Sequence, residues 1–242
     1  VHNGADDNAS GVAVLLELAH ALAAVPAEQR THDLVFVAFG AEEMGLLGSA
    51  HLVASMTSED KARTLAMLNF DMVGRLRERS IIVNGTGTAK EWDALLEPIA
   101  GDLVIKPVPD GWGPSDHSSF YGEGMPVLHF FTGSHEDYHK PSDDLPLVDS
   151  AGAASIGALA GRVVLALLDR CDPLTFVKTD RPQQGGVRSI GKQPRNQRVE
   201  IGTAVIFRRN PRAERDRRRT SGCVVVIAHR GRSRISSGLS SL

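Results

Sequence analysis

Side chains that can hold a metal ion occur in four short polar blocks within the first 144 residues. The blocks are GADDNASG at 4–11, the pair Glu42 and Glu43, Asp71 in NFDMVG, and HEDYHKPSDD at 135–144. Together they offer carboxylate oxygens and imidazole nitrogens, the mixture of donors that divalent zinc accepts. The chemistry open to such a set is hydrolysis by a metal-activated water.

Each block taken alone also has a structural explanation. Adjacent aspartates before a helix commonly cap it, a Glu–Glu pair commonly begins a solvated helix, and a single histidine is more often structural than a ligand. Asp71 is harder to explain in this way, because a carboxylate at the end of an otherwise apolar strand is costly unless it is paired. Four successive strand ends, each followed by a metal-competent residue, favour one shared site.

The apolar residues alternate between helix-like and strand-like segments. Helical spacing predicts helices over 10–25, 48–56, 90–100 and 149–170, and short β-rich runs predict strands over 33–40, 66–72, 80–85, 103–108 and 126–131. This alternation is typical of an α/β protein. We therefore expect a three-layer αβα sandwich with a mostly parallel central sheet.

Convergence of Asp7, Glu42, Glu43 and Asp71 would place four negative charges together. Like charges within about 4–6 Å raise the pKa of a carboxyl group by one or more units, so the metal-free cluster would repel itself. Two Zn²⁺ ions would neutralise the four charges and would stabilise the fold by binding to it.

Five blocks carry a resemblance to a known family. GADDNASG, AEEMGLLGS, NFDMVGR, GPSDHSSF and HEDYHKPSDD resemble, in residue type, order and spacing, the signature sequences of the M28 zinc peptidases. The resemblance extends over residues 4–144. It implies an aminopeptidase, a zinc-dependent exopeptidase that hydrolyses N-terminal peptide bonds with a water activated by two zinc ions.

The resemblance also implies a role for each residue of the centre. Asp7 would bridge the two zinc ions, and Glu43 and His139 would complete one zinc site. Asp71 would ligate the other zinc, and Glu42 would be the catalytic base. The family supplies a further histidine ligand from an HxD segment before GADD, so the sequence predicts a catalytic domain that is incomplete at its N-terminus.

Six further residues are predicted to bind substrate or to orient the ligands. They are Trp112, Asp116, His117, His135, Tyr138 and Asp143. Capping of a short helix before Phe120 explains Asp116 and His117 equally well. Trp112 stands where the resemblance places a tyrosine, so the oxyanion-binding role of that tyrosine does not carry over directly.

The net charge of −2 conceals a division of the chain. Residues 181–242 contain 14 Arg and one Lys against three acidic residues, and their one clear β-rich run begins at Cys223. We therefore expect a catalytic domain over 1–176 and an Arg-rich, disordered tail over 177–242. Three explanations of the tail are open: an arm that binds nucleic acid or another anionic surface, the degraded start of an appended domain, or sequence read out of frame. Its scarcity of Lys and aromatic residues favours the last two, so no nucleic-acid partner is expected.

No membrane span is predicted, because the most apolar stretch, 151–168, contains Arg162 and many small residues. The expected partners are peptides with a free N-terminus, and the resemblance is compatible with a secreted or periplasmic location. Two alternatives to an active aminopeptidase stay open. One is a catalytically impaired fragment of such an enzyme, and the other is a zinc acyltransferase of the glutaminyl-cyclase type.

Overall fold

The computed structural model describes residues 2–26, 32–170, 172–179, 201–209 and 223–228. The helices are α1 (Gly11–Ala23), α2 (Leu47–Ser55), α3 (Ser58–Arg63), α4 (Trp92–Leu96), α5 (His117–Tyr121) and α6 (Ser150–Leu168). The strands are β1 (His32–Gly40), β2 (Thr64–Phe70), β3 (Ser80–Asn84), β4 (Val104–Val108), β5 (Val127–Phe131), β6 (Ile201–Arg209) and β7 (Cys223–Ala228).

The strands form one sheet in the order β4-β3-β5-β2-β6-β1-β7. β2 pairs in parallel with β5, β1 with β7 and β3 with β4. β6 is antiparallel to both β1 and β2, and β3 is antiparallel to β5. Four strands, β1, β2, β5 and β7, therefore run in one direction, and their carboxyl ends meet at one edge of a mixed sheet.

Helices cover both faces of this sheet, which confirms the αβα architecture. On one face α1, α4 and α6 bury apolar side chains such as Leu18, Trp92 and Ile156 against the strands. On the other face α2 and α5 contribute Val53 and Phe120 to a second, smaller cluster. The periodic positions of α1 predicted to be apolar, among them Leu18, are all buried, because a stripe at helical spacing faces the sheet.

α6 is the helix within the described ranges that is long and apolar enough to cross a membrane by length and composition. Half of its apolar window is buried, with Leu159 and Val163 fully inside the first cluster. Asp149 caps the helix by accepting a hydrogen bond from the backbone of Gly152. The helix is thus packed in the manner of a core helix.

β6 differs from the expectation of a disordered tail. It lies between β1 and β2, and residues 202–207 are buried. The run TAVIF at 203–207 is apolar on both faces, as a central strand requires, but the arginines that flank it conceal this pattern in the sequence. β7 is the β-rich run predicted at Cys223. The rest of the predicted tail after Thr179 lies outside the described residues.

Candidate metal centre

The predicted metal ligands collect at the carboxyl edge of the sheet. Glu42 and Glu43 follow β1, Asp71 follows β2 directly, and His139 lies in the loop after β5. These three strands run in the same direction, and only β6 separates β1 from β2. Blocks that are up to about a hundred residues apart in the sequence therefore meet at one place.

Asp7 reaches the same edge from an irregular turn, Ala5–Ser10, that precedes α1. Asn8 fixes this turn to the end of β2. Its side-chain amide donates to the carbonyl of Phe70 at 2.9 Å, and its amide oxygen accepts from the backbone of Met72 at 3.2 Å. The residue at the N-cap of α1 is Ser10, so the aspartates of the turn are not its cap.

Asp7, Glu43 and His139 bring three candidate ligand atoms within 4.8 Å of one another. Nε2 of His139 lies 3.3 Å from Oδ2 of Asp7 and also contacts Oε1 of Glu43. Two carboxylate oxygens and one imidazole nitrogen are a ligand set of an open zinc site, in which water or substrate takes the fourth position. These residues therefore fit a zinc ion, and they form the one group of this kind found within the described ranges.

The backbone near the ligands adopts a conformation that side chains disfavour. Ala41, Met72 and His139 have φ angles of 60°, 53° and 59°. Left-handed conformations of non-glycine residues cost about 1–2 kcal/mol each and persist where surrounding contacts enforce them. Each of the three residues either adjoins a candidate ligand or is one, and they are three of the six non-glycine residues with positive φ among those that the structure describes.

Asp71 is oriented by a chain of hydrogen bonds. The hydroxyl of Ser115 donates to Oδ2 of Asp71 at 2.7 Å, and the side-chain amide of Asn69 donates to the Ser115 hydroxyl at 2.8 Å. This arrangement aims a carboxylate at the end of the buried strand β2 and holds it there.

Glu42 lies in a strongly negative environment. Burial, with the charges of Asp71, Asp116, Glu43 and Asp7 as lesser causes, raises the pKa of its carboxyl group to about 10. Asp7, Glu43 and Asp71 are the groups that the sequence predicted to repel Glu42 in a metal-free cluster, and Asp116 adds to them. A bound cation would offset these charges and would lower the pKa of Glu42.

Asp116 is part of this negative environment and does not cap α5. It occupies the N-cap position, but its side chain makes no capping hydrogen bond. Burial, reinforced by the charge of Asp71, raises the pKa of Asp116 to about 7. The capping explanation offered by the sequence therefore fails for Asp116.

His117 is packed in the interior beside a second histidine. Its ring stacks on that of His129 with a centroid distance of 4.4 Å, and burial lowers the pKa of His117 well below its usual value. His117 is therefore neutral and is not among the converging ligand atoms.

The remaining predicted residues lie at three different places. Tyr138 stacks on His139 with ring centroids 3.7 Å apart and is 41% exposed, so it lies at the open side of the centre. Trp112 packs edge-on against Tyr121 at 5.2 Å. The side chain of His135 is buried and lies 3.1 Å from Oδ2 of Asp6, beneath the turn that carries Asp7.

Asp143 supports the centre together with Arg75, for which the sequence predicted no role. Its Oδ2 accepts the backbone N–H groups of Asp6 and Asp7 at 2.9 and 3.0 Å, and its Oδ1 accepts from the guanidinium of Arg75 at 3.2 Å. A basic side chain four residues after Asp71, among so many carboxylates, was the available signal for Arg75.

An αβα domain whose sheet gathers carboxylate and histidine side chains at its carboxyl edge has the arrangement expected of a metal-dependent hydrolase. Its sequence identifies the family: the profile of peptidase family M28 matches residues 1–164. The chain belongs to this family, as the signature blocks predicted.

Named relatives are aminopeptidases and a leupeptin-inactivating enzyme. Aminopeptidase YwaD of Bacillus subtilis (strain 168) is 33% identical over 174 residues, which are 66% of this chain and 37% of that protein. Leupeptin-inactivating enzyme 1 of Streptomyces exfoliatus is 32% identical over 169 residues, 69% of this chain and 35% of that protein. The crystal structure of BSAP, a zinc aminopeptidase from Bacillus subtilis, superimposes with a TM-score of 0.59 at 26% identity, covering 74% of this chain and 46% of that one. The chain thus spans less than half the length of these relatives.

Proposed function

We propose that this chain carries the centre of a zinc-dependent aminopeptidase, which hydrolyses the N-terminal peptide bond of its substrates. The observation that carries the proposal is the convergence of Asp7, Glu43 and His139 on one small volume. Membership of peptidase family M28 and the zinc aminopeptidase among the similar structures support the choice of metal and reaction. Bound zinc would acidify the attacking water and polarise the peptide carbonyl.

Two zinc ions are proposed, with Asp7 as the bridging ligand. Glu43 and His139 would complete one site, and Asp71 would hold the second ion through the carboxylate that Ser115 orients. This second ion would also need a nitrogen ligand, and the described residues place no candidate histidine in a ligand group with Asp71. The four carboxylates of the centre match the charge of two divalent ions.

Glu42 is proposed as the catalytic base. It adjoins the proposed ligand Glu43. Burial and, to a lesser degree, the neighbouring carboxyl groups raise its pKa in the metal-free protein. Bound cations would lower that pKa, so that the carboxylate could accept a proton. It would take the proton of the attacking water and return it to the leaving amine. The acidic surroundings of the centre would attract the α-ammonium group of the substrate, and Tyr138 lines its open side beside His139.

Hydrolysis of aminoacyl chromogenic substrates by the zinc-loaded full chain tests this function. Glu42→Gln keeps the shape of the side chain but cannot accept the proton, so kcat should fall by about 10²- to 10⁴-fold while zinc binding persists. Glu59→Gln is the matched control, because Glu59 is an exposed residue of α3. Unchanged turnover in Glu42→Gln would contradict the assigned base.

The same assay separates the alternatives. A wild-type chain that binds zinc without any turnover would be a catalytically impaired fragment. Mass spectrometry of a peptide with N-terminal glutamine distinguishes release of the free residue from cyclisation, the outcome for an acyltransferase of the glutaminyl-cyclase type. The aminopeptidase is preferred because the family relatives with named activities include aminopeptidases.

A further inference from the structure

We propose that Arg75 is a positioning residue that joins three of the four segments carrying the proposed metal ligands, those of Asp7, Asp71 and His139, and so sets the geometry of the centre. The inference rests on the zinc site of the proposed function. Arg75 lies four residues after Asp71, in the loop that follows β2. Its side chain is 11% exposed, so its charge is largely withdrawn from water and needs partners within the protein.

The guanidinium group of Arg75 contacts the loop after β5 at two points. Nη1 lies 3.3 Å from Oδ2 of Asp137, and Nη2 lies 3.2 Å from Oδ1 of Asp143. Asp137 and Asp143 stand on either side of His139 in the sequence. Arg75 therefore contacts the loop of His139 on both sides of that histidine. Because Arg75 itself lies in the loop of Asp71, these contacts join the two loops.

Asp143 joins the loop of His139 to the turn that carries Asp7. Its Oδ2 accepts the N–H groups of Asp6 and Asp7, and its backbone carbonyl accepts the N–H of Ala5 at 3.1 Å. Three consecutive backbone N–H groups thus end on one residue, whose side chain is only 1% exposed. Arg75 donates to Oδ1, the other oxygen of this carboxylate. The guanidinium therefore fixes the orientation in which Oδ2 accepts from the turn.

A second connection closes the arrangement. Oδ2 of Asp6 lies 3.1 Å from Nε2 of His135, and Oδ1 of Asp6 accepts the backbone N–H of Gly74 at 2.6 Å. The turn at Asp7 is therefore joined both to the loop of His139 and to the loop of Arg75. The guanidinium lies between the buried Asp143 and the partly exposed Asp137, and a side chain with planar, paired donors is needed to reach both at once.

This geometry predicts that Arg75 acts on metal binding without touching the metal. Loss of a group that orients ligands typically weakens metal affinity by about 10- to 100-fold. Arg75→Gln removes both the charge and the double contact, whereas Arg75→Lys keeps the charge as a single point. We expect affinity for zinc to fall in the order wild type, Arg75→Lys, Arg75→Gln.

The experiment titrates zinc into the folded full chain by calorimetry and records the visible absorption spectrum of the cobalt-substituted protein, which reports ligand geometry. Arg79→Gln is the matched control, since Arg79 pairs with Asp102 at an exposed position. Weaker zinc binding with an altered cobalt spectrum in the Arg75 variants, and neither change in Arg79→Gln, supports the inference.

Two results overturn it. In one, Arg75→Gln binds zinc with wild-type affinity and gives a wild-type cobalt spectrum. In the other, this variant lowers the stability of the metal-free and zinc-loaded forms equally, which is the thermodynamic sign of unchanged zinc affinity. If Arg75→Gln does not fold, Asp137→Asn replaces it in the same measurements. This variant weakens one of the two ion pairs of Arg75 at a partly exposed residue, so we expect a smaller loss of zinc affinity, and an unchanged affinity would overturn the inference. A wild-type chain that binds no zinc would instead refute the zinc site, and this inference with it.

Discussion

The hydroxyl of Ser115 donates a 2.7 Å hydrogen bond to Oδ2 of Asp71, and so fixes the carboxylate at the end of the central strand β2. Ser115→Ala should leave the fold intact but free Asp71 to rotate. We expect the affinity for zinc to fall by about tenfold, the lower end of the range for ligand-orienting groups. Calorimetric titration measures the change. Ser55→Ala is the control, because the Ser55 hydroxyl bonds only to the backbone of its own helix at an exposed position; equal affinities in the two variants would contradict the role of Ser115.

Zinc should stabilise the chain through His139. An ion that binds only the folded state adds about 2.7 kcal/mol when its free concentration is a hundred times its Kd. Thermal unfolding with zinc and with a chelator should therefore give a higher Tm with zinc for the wild type and little difference for His139→Ala. His20→Ala, at an exposed position of α1, should behave as the wild type. A zinc shift that survives in His139→Ala would exclude this histidine as a ligand.

The metal-free protein should lose stability as the pH rises. The pKa of Glu42 is raised from 4.5 to about 10, and that of Asp116 from 3.8 to about 7. A raised pKa means that the folded state holds protons that the unfolded state releases, so this contribution is complete below the unfolded pKa and disappears as the pH approaches the folded one. The free energy of unfolding should fall by up to about 1.4 kcal/mol per pH unit for each such group.

Urea unfolding in chelator between about pH 5 and 9 measures this dependence. Glu42→Gln cannot ionise, so its stability should fall less steeply with pH than that of the wild type. Glu59→Gln should retain the wild-type slope. Parallel curves for Glu42→Gln and the wild type would show that Glu42 does not carry the predicted proton.

β6 should contribute to stability as a central strand. Phe207 is fully buried in the cluster beneath α1 and α6, and truncation of such a side chain typically costs about 3–5 kcal/mol. Phe207→Ala should therefore lower the free energy of unfolding by that amount in a denaturant titration. Leu145→Ala is the control, since Leu145 is 73% exposed and should change stability by less than about 0.5 kcal/mol. Equal stabilities would place Phe207 outside the folded domain.

Local sequence was sufficient for much of the fold. Leu18 and Leu22 recur at helical spacing, and this stripe alone predicted the buried face of α1. Asp71 was recognisable as a site residue for a similar reason, since a charge at the end of an apolar strand has few stable explanations. In both cases the information lies within a few residues of the position concerned.

The tertiary structure alone decided which distant residues support the predicted ligands. Arg75 and Asp143 are 68 residues apart, and Asp143 and Asp7 are 136 apart, so their hydrogen bonds exist only because the loops after β2 and β5 meet the turn before α1 at one edge of the sheet. The place of β6 between β1 and β2 has the same origin, because strand pairing depends on partners that a local pattern does not contain. The sequence by itself determined the types of ligand and the elements that present them, and long-range packing determined the residues that hold those ligands in position.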